Sequence, residues 1–359
     1  MAAIPPDIFA LEDYARHAAA ILPAPVRAYV DGAGADGLTA AANAEAWRRI
    51  RLESRVLADL RGGGTELDLF GLALEHPFLL APVAWHGLAH PEAEHATALG
   101  AAATGGLMVV STQAGLRLEE IAARAQGPLW FQLYMQPERA DTLHLLRRAE
   151  AAGYRALVVT VDAPVTGLRN MEARAGFALP DGLRAVNLEG YAPAAVRTAP
   201  GRAGVFLGLM DAAPRWDDIR WLRAQTRLPL LLKGILSGHD ADLAVQAGVD
   251  GVIVSNHGGR ALDTLPATAD ALPVVAARIA GRIPVLADGG IRRGTDALKA
   301  LALGADAVLI GRPQIHALAV GGAAGVAHML SILRAELEVA MALTGRRRLS
   351  DIDRSVLWA

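Results

Sequence analysis

The sequence predicts a (β/α)8 TIM barrel, at about 77–345, inside a single domain spanning 1–359, with an N-terminal helical extension and a long loop after strand 4. Three observations point there. Eight short, almost continuous apolar runs recur along the chain, as in parallel strands buried on both faces: 78–81, 107–111, 129–134, 156–161, 229–233, 251–255, 284–288 and 307–311. Segments of helical period separate most of them, including 139–152, 241–247, 272–279 and 296–303. Glycines at 153, 248 and 304 follow such segments where a helix would stop. A doubly wound open sheet is the alternative. It needs a Gly-rich phosphate loop after its first strand, and Pro82-Val83-Ala84-Trp85-His86-Gly87 is not one.

The flanking elements follow from local pattern. Residues 11–22 read as a helix, and 24–30 lead into the turn Asp31-Gly32-Ala33-Gly34. Arg61-Gly62-Gly63-Gly64 is a loop. The stretch 169–217, with Pro180, Pro193, Pro200 and Pro214, is the one long connection, and a loop of that length in a compact domain acts as a lid or binding element.

Composition bounds the function. Hydrophobic residues make up 53% and charged residues 20%, which supports a large core and excludes disorder. A net charge of −2 without a long basic run argues against nucleic acid as the main partner. No cysteine is present, which removes disulfides, iron–sulfur ligation and thiol catalysis. Asp7, Glu12 and Asp13 precede the first basic residues, the reverse of a signal peptide. No run of about 18 uncharged apolar residues is expected, so no membrane span is predicted and a cytoplasmic location is the default.

Active residues of such barrels gather at the C-terminal ends of the strands. Those ends carry Ser111 to Gln113, Gln132, Tyr134, Thr160, Asp162, Lys233, His257, Arg260, Asp288 to Arg292, Gly311 and Arg312. They predict one polar site at one mouth. Asp288-Gly289-Gly290-Ile291-Arg292 and Gly311-Arg312 fall after strands seven and eight, where barrels often hold a phosphate through loop N–H groups and a helix N-terminus. An imidazole such as His257 takes a proton near neutral pH, and Asp162 at the end of strand four could hold its ring. Arg260 lies three residues on and suits a carboxylate, through two parallel hydrogen bonds. Lys233 is a point charge facing a ligand, a Schiff-base nucleophile or half of a buried ion pair. His86 and His90 have metal-ligand spacing if helical, but Pro91 and the lack of a clear third ligand favour packing.

Taken together, these motifs resemble the FMN-dependent 2-hydroxy acid oxidase and dehydrogenase family, which includes glycolate, lactate and hydroxymandelate oxidases. Ser255-Asn256-His257-Gly258-Gly259-Arg260 with Leu262-Asp263 is the most specific match. Trp130 to Tyr134, Thr160 to Pro164, Leu232 to Ile235, Asp288 to Arg292 and Gly311-Arg312-Pro313 support it, and His86-Gly87-Leu88-Ala89-His90 looks like lactate oxidase. The likeness runs from about Leu11 to the C-terminal helix.

The resemblance implies FMN over the barrel mouth. Its phosphate would meet Gly290, Arg292, Gly311 and Arg312, and Asp288 would take the ribityl hydroxyls. Ser111, Gln132, Thr160 and Ser255 would serve the ring, with Pro82, Val83 and Ala84 beside it and Lys233 opposite developing negative charge. His257 would be the base, oriented by Asp162. Tyr29, Arg169 and Arg260 would hold the substrate carboxylate, and Tyr134 the hydroxyl. Proton loss from carbon, or from the hydroxyl with hydride transfer, both fit. The implied reaction converts an L-2-hydroxy acid, lactate- or mandelate-like, to the 2-oxo acid, with molecular oxygen reduced to hydrogen peroxide. An acceptor other than oxygen, or a non-redox phosphate-binding barrel, are the alternatives. A homotetramer is implied as well. The chain departs from the family at Gln113, where an aromatic is frequent, at Leu168, where a second arginine precedes Arg169, and at Ala33, where glycine is frequent. Gln113 with Val83, Trp85 and Thr166 would shape the substrate side chain's pocket.

Overall fold

A computed structural model describes residues 4–193, 204–206 and 208–358. Eight parallel strands close into a barrel. In order they are Phe78–Leu80, Leu107–Ser111, Leu129–Leu133, Leu157–Thr160, Leu230–Ile235, Gly251–Val254, Val285–Ala287 and Ala307–Ile310, and the eighth pairs with the first through Val308 and Phe78. Nearly every strand residue is buried, because side chains pointing in fill the barrel and those pointing out meet the helices. Leu79, Val109, Trp130, Val158, Leu231, Ile253, Leu286 and Leu309 pack inside. The eight apolar runs therefore each mark a barrel strand.

Two elements absent from the sequence reading close the lower mouth. Leu67–Leu69 and Leu72–Leu74 form an antiparallel hairpin around Phe70 and Gly71, both with positive φ. Leu69 and Leu74 join the barrel interior, and Phe70 meets the edge of Trp130 at 5.8 Å. That plug leaves the C-terminal mouth as the open end.

The extension has three helices: Leu11–Ile21, Ala24–Asp31 and Leu38–Arg49. The second was expected only as a lead into a turn, and the third has only Leu38 and Trp47 as large apolar residues among its alanines. It is docked by tertiary contacts instead. Asp263 accepts from the amides of Asp36 (3.1 Å), Leu38 (3.2 Å) and Thr39 (2.8 Å), capping its N-terminus. Asn43 and Asn256 exchange side-chain hydrogen bonds at 2.9 and 2.8 Å, and the Trp47 indole donates to the Gly289 carbonyl at 2.8 Å. The helix thus sits over the ends of strands six and seven.

The last helix, Arg312–Leu343, corrects one expectation. Its stretch 313–333 carries no Asp, Glu, Lys or Arg, and the helix is long and apolar enough to cross a membrane by length and composition. It bends at Gly322 (φ 55°, ψ −139°), and 56% of its most apolar stretch is buried. It packs on the helices Leu11–Ile21 and Ala93–Ala102, so its apolarity serves the core of the fold.

The long connection after strand four begins with the short helix Asn170–Arg174 and includes single turns at Val186–Leu188 and Gly204–Phe206. Residues 194–203, Pro200 among them, and 207 lie outside the described residues. Buried Asn187 ties the loop down, accepting from Leu118 N at 2.9 Å and donating to Leu116 O at 3.0 Å.

Candidate active site

A cavity of about 860 Å³ opens at the C-terminal mouth. Every residue assigned from sequence to catalysis, substrate or cofactor lines it, except Asp162 and Ser255, which stand directly behind lining residues. Phe177, Leu188 and Leu209 from the long loop form part of its wall.

His257 stands at a strained point. It, Gly258 and Gly259 have φ of 59°, 63° and 73°, a left-handed run in which histidine is the one residue with a Cβ. Such a conformation costs about 1–2 kcal/mol. Two bonds hold it: the His257 amide donates to Ser255 Oγ at 3.0 Å, and Nδ1 lies 2.9 Å from Asp162 Oδ1. With Nδ1–H directed at the carboxylate, Nε2 is the basic nitrogen. Burial pushes the Asp162 carboxyl up, but the nearby charges of His257 and Lys233 outweigh it and hold the group below its ordinary value of 3.8. Asp162 can come this close because Gly234 is opposite: a Cβ there would fall 2.4 Å from the Asp162 Cβ. Gly234 also carries a strand irregularity between Lys233 and Ile235.

Lys233 is buried at the floor. Its ammonium donates to Ser255 Oγ at 2.8 Å and lies 3.1 Å from Asp288 Oδ2. Burial pulls its pKa down, yet Asp288 and Asp162 push it up by more, so it stays protonated. An ammonium held in this ion pair is a poor Schiff-base nucleophile, and the geometry favours the point-charge and ion-pair roles among the three first considered. Beside it, Ser111 Oγ donates to Gln132 Oε1 at 3.2 Å, and Gln132 Nε2 donates to Thr160 Oγ1 at 3.0 Å, a polar ladder across strands two, three and four. Burial raises the Tyr134 hydroxyl to about 12, so it is a hydrogen-bond donor at neutral pH.

Four arginines stand around the upper wall. Arg312 donates to the carbonyls of Val30 (3.2 Å), Gly32 (2.8 Å) and Gly258 (3.0 Å). Burial, with Arg260 and Arg292 close by, lowers its guanidinium to about 9. Arg292 donates to the Ile291 carbonyl at 2.9 Å, and burial lowers it too. Arg260 donates to the carbonyls of Tyr29 (2.8 Å) and Gly32 (2.7 Å) and to Glu172 Oε1 (3.1 Å). Arg169 donates to the same Glu172 oxygen at 3.2 Å. The Tyr29 ring lies 5.2 Å beneath Arg260 and stacks on Phe177 at 4.6 Å.

Several sequence assignments change in detail. Arg260 was read as a grip for substrate alone, but much of it anchors the end of the helix Ala24–Asp31. Gly290 was read as leaving room for a phosphate. A Cβ there would fall 2.6 Å from the Asn43 carbonyl, so its first requirement is the close approach of the helix Leu38–Arg49. At Gly311 nothing lies within 4 Å of that position, leaving open space beside Arg312. Asp288 pairs with Lys233 through one oxygen, and Oδ1 is buried without a partner among the described residues. His86 is fully buried in a single 3-10 turn with Nδ1 2.8 Å from Thr97 Oγ1, and the His90 ring packs where Gly322 bends the last helix. No group of three potential metal ligands occurs among the described residues. Glu172 and Phe177 were missed. The only sequence signal for Glu172 was its place three residues after Arg169.

The residues present fit FMN. Arg292 and Arg312 are buried cations with no carboxylate in bonding distance among the described residues, as a phosphate site requires. The unpartnered Asp288 Oδ1 is an acceptor for a hydroxyl, and the Ser111–Gln132–Thr160 ladder offers donors and acceptors to a flat heterocycle.

Comparison with known proteins agrees with this geometry. An L-lactate oxidase from Alicycliphilus denitrificans is 51% identical over 355 residues, 99% of this chain and 97% of the relative. The glycolate oxidase of Spinacia oleracea is 42% identical, covering 98% and 96%. A solved structure of mandelate oxidase with (S)-2-phenylpropionate superposes with a TM-score of 0.89 at 40% identity, covering 98% of each chain. The family model described as FMN-dependent dehydrogenase matches residues 18–359, and the chain belongs to that family.

Proposed function

We propose that this protein oxidises an L-2-hydroxy acid, lactate- or mandelate-like, to the 2-oxo acid and passes the electrons to molecular oxygen, yielding hydrogen peroxide. The observation that carries the reading is His257, held by Asp162 at 2.9 Å, in one cavity with the carboxylate-binding pair Arg169 and Arg260. The oxidase names of the relatives at 51% and 42% identity support oxygen as the acceptor. A homo-oligomer, a tetramer by family likeness, is part of the proposal.

FMN, when bound, supplies the capacity to accept two electrons. The chain supplies position and charge. Arg260 and Arg169 draw the substrate carboxylate to one end of the cavity, and the Tyr134 hydroxyl bonds the substrate oxygen. His257 Nε2 takes a proton from the substrate, and the Asp162 carboxylate stabilises the imidazolium that results. Lys233 keeps a positive charge at the floor, where negative charge develops as the substrate is oxidised. The gain from an aligned base of this kind is about 10²–10⁴-fold.

Anaerobic addition of L-lactate or L-mandelate to the purified flavoprotein should bleach its visible absorbance, and readmitting oxygen should restore the colour with peroxide released. His257→Ala should retain flavin and lose bleaching. Flavin that stays oxidised in the wild type with every L-2-hydroxy acid tried would overturn the proposal, and reoxidation only by an artificial acceptor would remove oxygen from it.

A further inference from the structure

Two guanidinium groups that bind a carboxylate must first coexist without one. Arg169 and Arg260 repel each other, and the neighbouring Arg169 charge, after burial, lowers the pKa of Arg260. Among the described residues a single carboxylate bonds either of them. It is Glu172, whose Oε1 accepts from Arg260 at 3.1 Å and from Arg169 at 3.2 Å. The three side chains are only 15% to 20% exposed, so solvent screens this cluster weakly. Two positive charges and one negative leave a net charge of plus one. One donor of the pair is also left over: Arg169 Nε is buried and has no partner among the described residues. The cluster therefore has room and charge for one further carboxylate.

The position of Glu172 is built into the fold. The helix Asn170–Arg174 packs on the helix Ala24–Asp31, and Gly32, just beyond the latter, faces the carboxylate. A Cβ on Gly32 would meet the Ala28 carbonyl at 2.3 Å first and Glu172 Oε1 at 3.2 Å. The Gly32 carbonyl accepts from both Arg260 and Arg312, so the segment that makes room for Glu172 also fixes the arginine it neutralises. Arg260 keeps its backbone partners at Tyr29, Val30 and Gly32 without Glu172, whereas Glu172 is the partner that orients Arg169.

We propose that Glu172 sets the charge of the substrate-carboxylate end to plus one, and that this selects monocarboxylate over dicarboxylate 2-hydroxy acids. The inference rests on the proposed function. Glu172 is a positioning residue that acts through Arg169 and Arg260. A dianion in the wild-type cluster leaves one negative charge unpaired in a poorly solvated site, and that is costly. Removing the Glu172 charge would supply the missing positive balance.

The test uses the holoenzyme and two non-oxidisable anions of similar size, acetate and oxalate, titrated while flavin absorbance is followed. Glu172→Gln should improve oxalate binding relative to acetate by about tenfold or more, because a unit charge a few ångströms away is worth at least that in a partly buried site. The gain should shrink with added salt. Glu172→Asp should restore the wild-type preference. Turnover should shift the same way, with L-malate gaining on L-lactate in kcat/KM. Glu172→Ala removes the same charge and supplies the same comparison if E172Q does not fold, flavin content serving as the check. An oxalate-to-acetate ratio that is unchanged, or both affinities moving together, would overturn the role of Glu172 even though wild type is bleached by L-lactate. A wild type that no 2-hydroxy acid bleaches overturns the underlying function instead.

Discussion

The two arginine pairs at the mouth are built differently. Arg292 and Arg312 have backbone carbonyls as partners and no bonded carboxylate among the described residues, whereas Arg169 and Arg260 share Glu172. The first pair presents an unbalanced double positive charge, which suits a phosphate dianion. The second presents a single net charge, which suits a monocarboxylate. Buried charge is tolerated where a partner matches it, so the different internal neutralisation of the two pairs favours different anions at the two ends.

The strongest way to break this comparison is at the phosphate end. Arg312→Leu should lower FMN affinity by about 10²–10³-fold, since losing one partner of a buried charge pair costs about 2–5 kcal/mol. Flavin content and a fluorescence titration would read it, and full flavin retention would dissolve the distinction. Arg312→Lys should fall between, because a point charge replaces a guanidinium fork. At the other end, Arg260→Leu should keep its flavin and raise KM for the hydroxy acid about 10²-fold, with loss of flavin arguing that the two ends form one site. Its Tm should fall as well, because the Tyr29 and Gly32 carbonyls lose a donor.

Asp162→Asn probes the proposed base between the two ends, His257, whose Nδ1 lies 2.9 Å from Asp162. The substitution should reduce kcat by about 10²-fold, the lower end of the range of acid–base effects because the imidazole itself remains, and leave FMN bound. The Asp162 carboxyl sits below its ordinary 3.8 in the folded state. Its stabilising contribution is therefore present above pH 3.8 and is lost as pH falls through the lower folded value. Acid unfolding of the wild type should show that loss, and the asparagine variant should lack it.

The smallest effect is expected at Asp263. Amide donors, Thr39 N foremost, hold its carboxyl at about 2, against an ordinary 3.8. The stability this adds is complete above pH 3.8 and disappears as pH falls through about 2. The Tm gap between wild type and Asp263→Asn should be widest near neutral pH and close on acidification. Because Asp263 docks the helix whose Asn43 carbonyl backs Gly290, flavin affinity should fall a few-fold while substrate KM stays put. An effect on KM alone would place Asp263 at the wrong end.

Asp263 and Glu172 also mark where sequence reading succeeds and fails. Asp263 stood in the most specific motif, but nothing in the motif tells that its work is to cap a helix more than two hundred residues earlier. Glu172 stood in an irregular stretch with no period to place it. The barrel strands were legible because burial on both faces leaves a run of apolar residues that survives in the sequence. The helix Leu38–Arg49 and the hairpin around Phe70 were not, since the first is alanine-rich without a marked apolar stripe and both are docked by contacts with distant segments.

Residue order alone carries the eight strands and the polar residues at their C-terminal ends, because local periodicity and the barrel rule place those without distances. The resemblance assigned most of them roles. How the charges pair is visible only in the folded chain: Lys233 lies as an ammonium between Asp288 and Asp162, Arg260 is bonded to the Tyr29 and Gly32 carbonyls as well as to Glu172, and Glu172 stands between two arginines. Pairing depends on separations of a few ångströms between residues far apart in the chain, and Coulomb energy changes too steeply at that range for residue order to specify it.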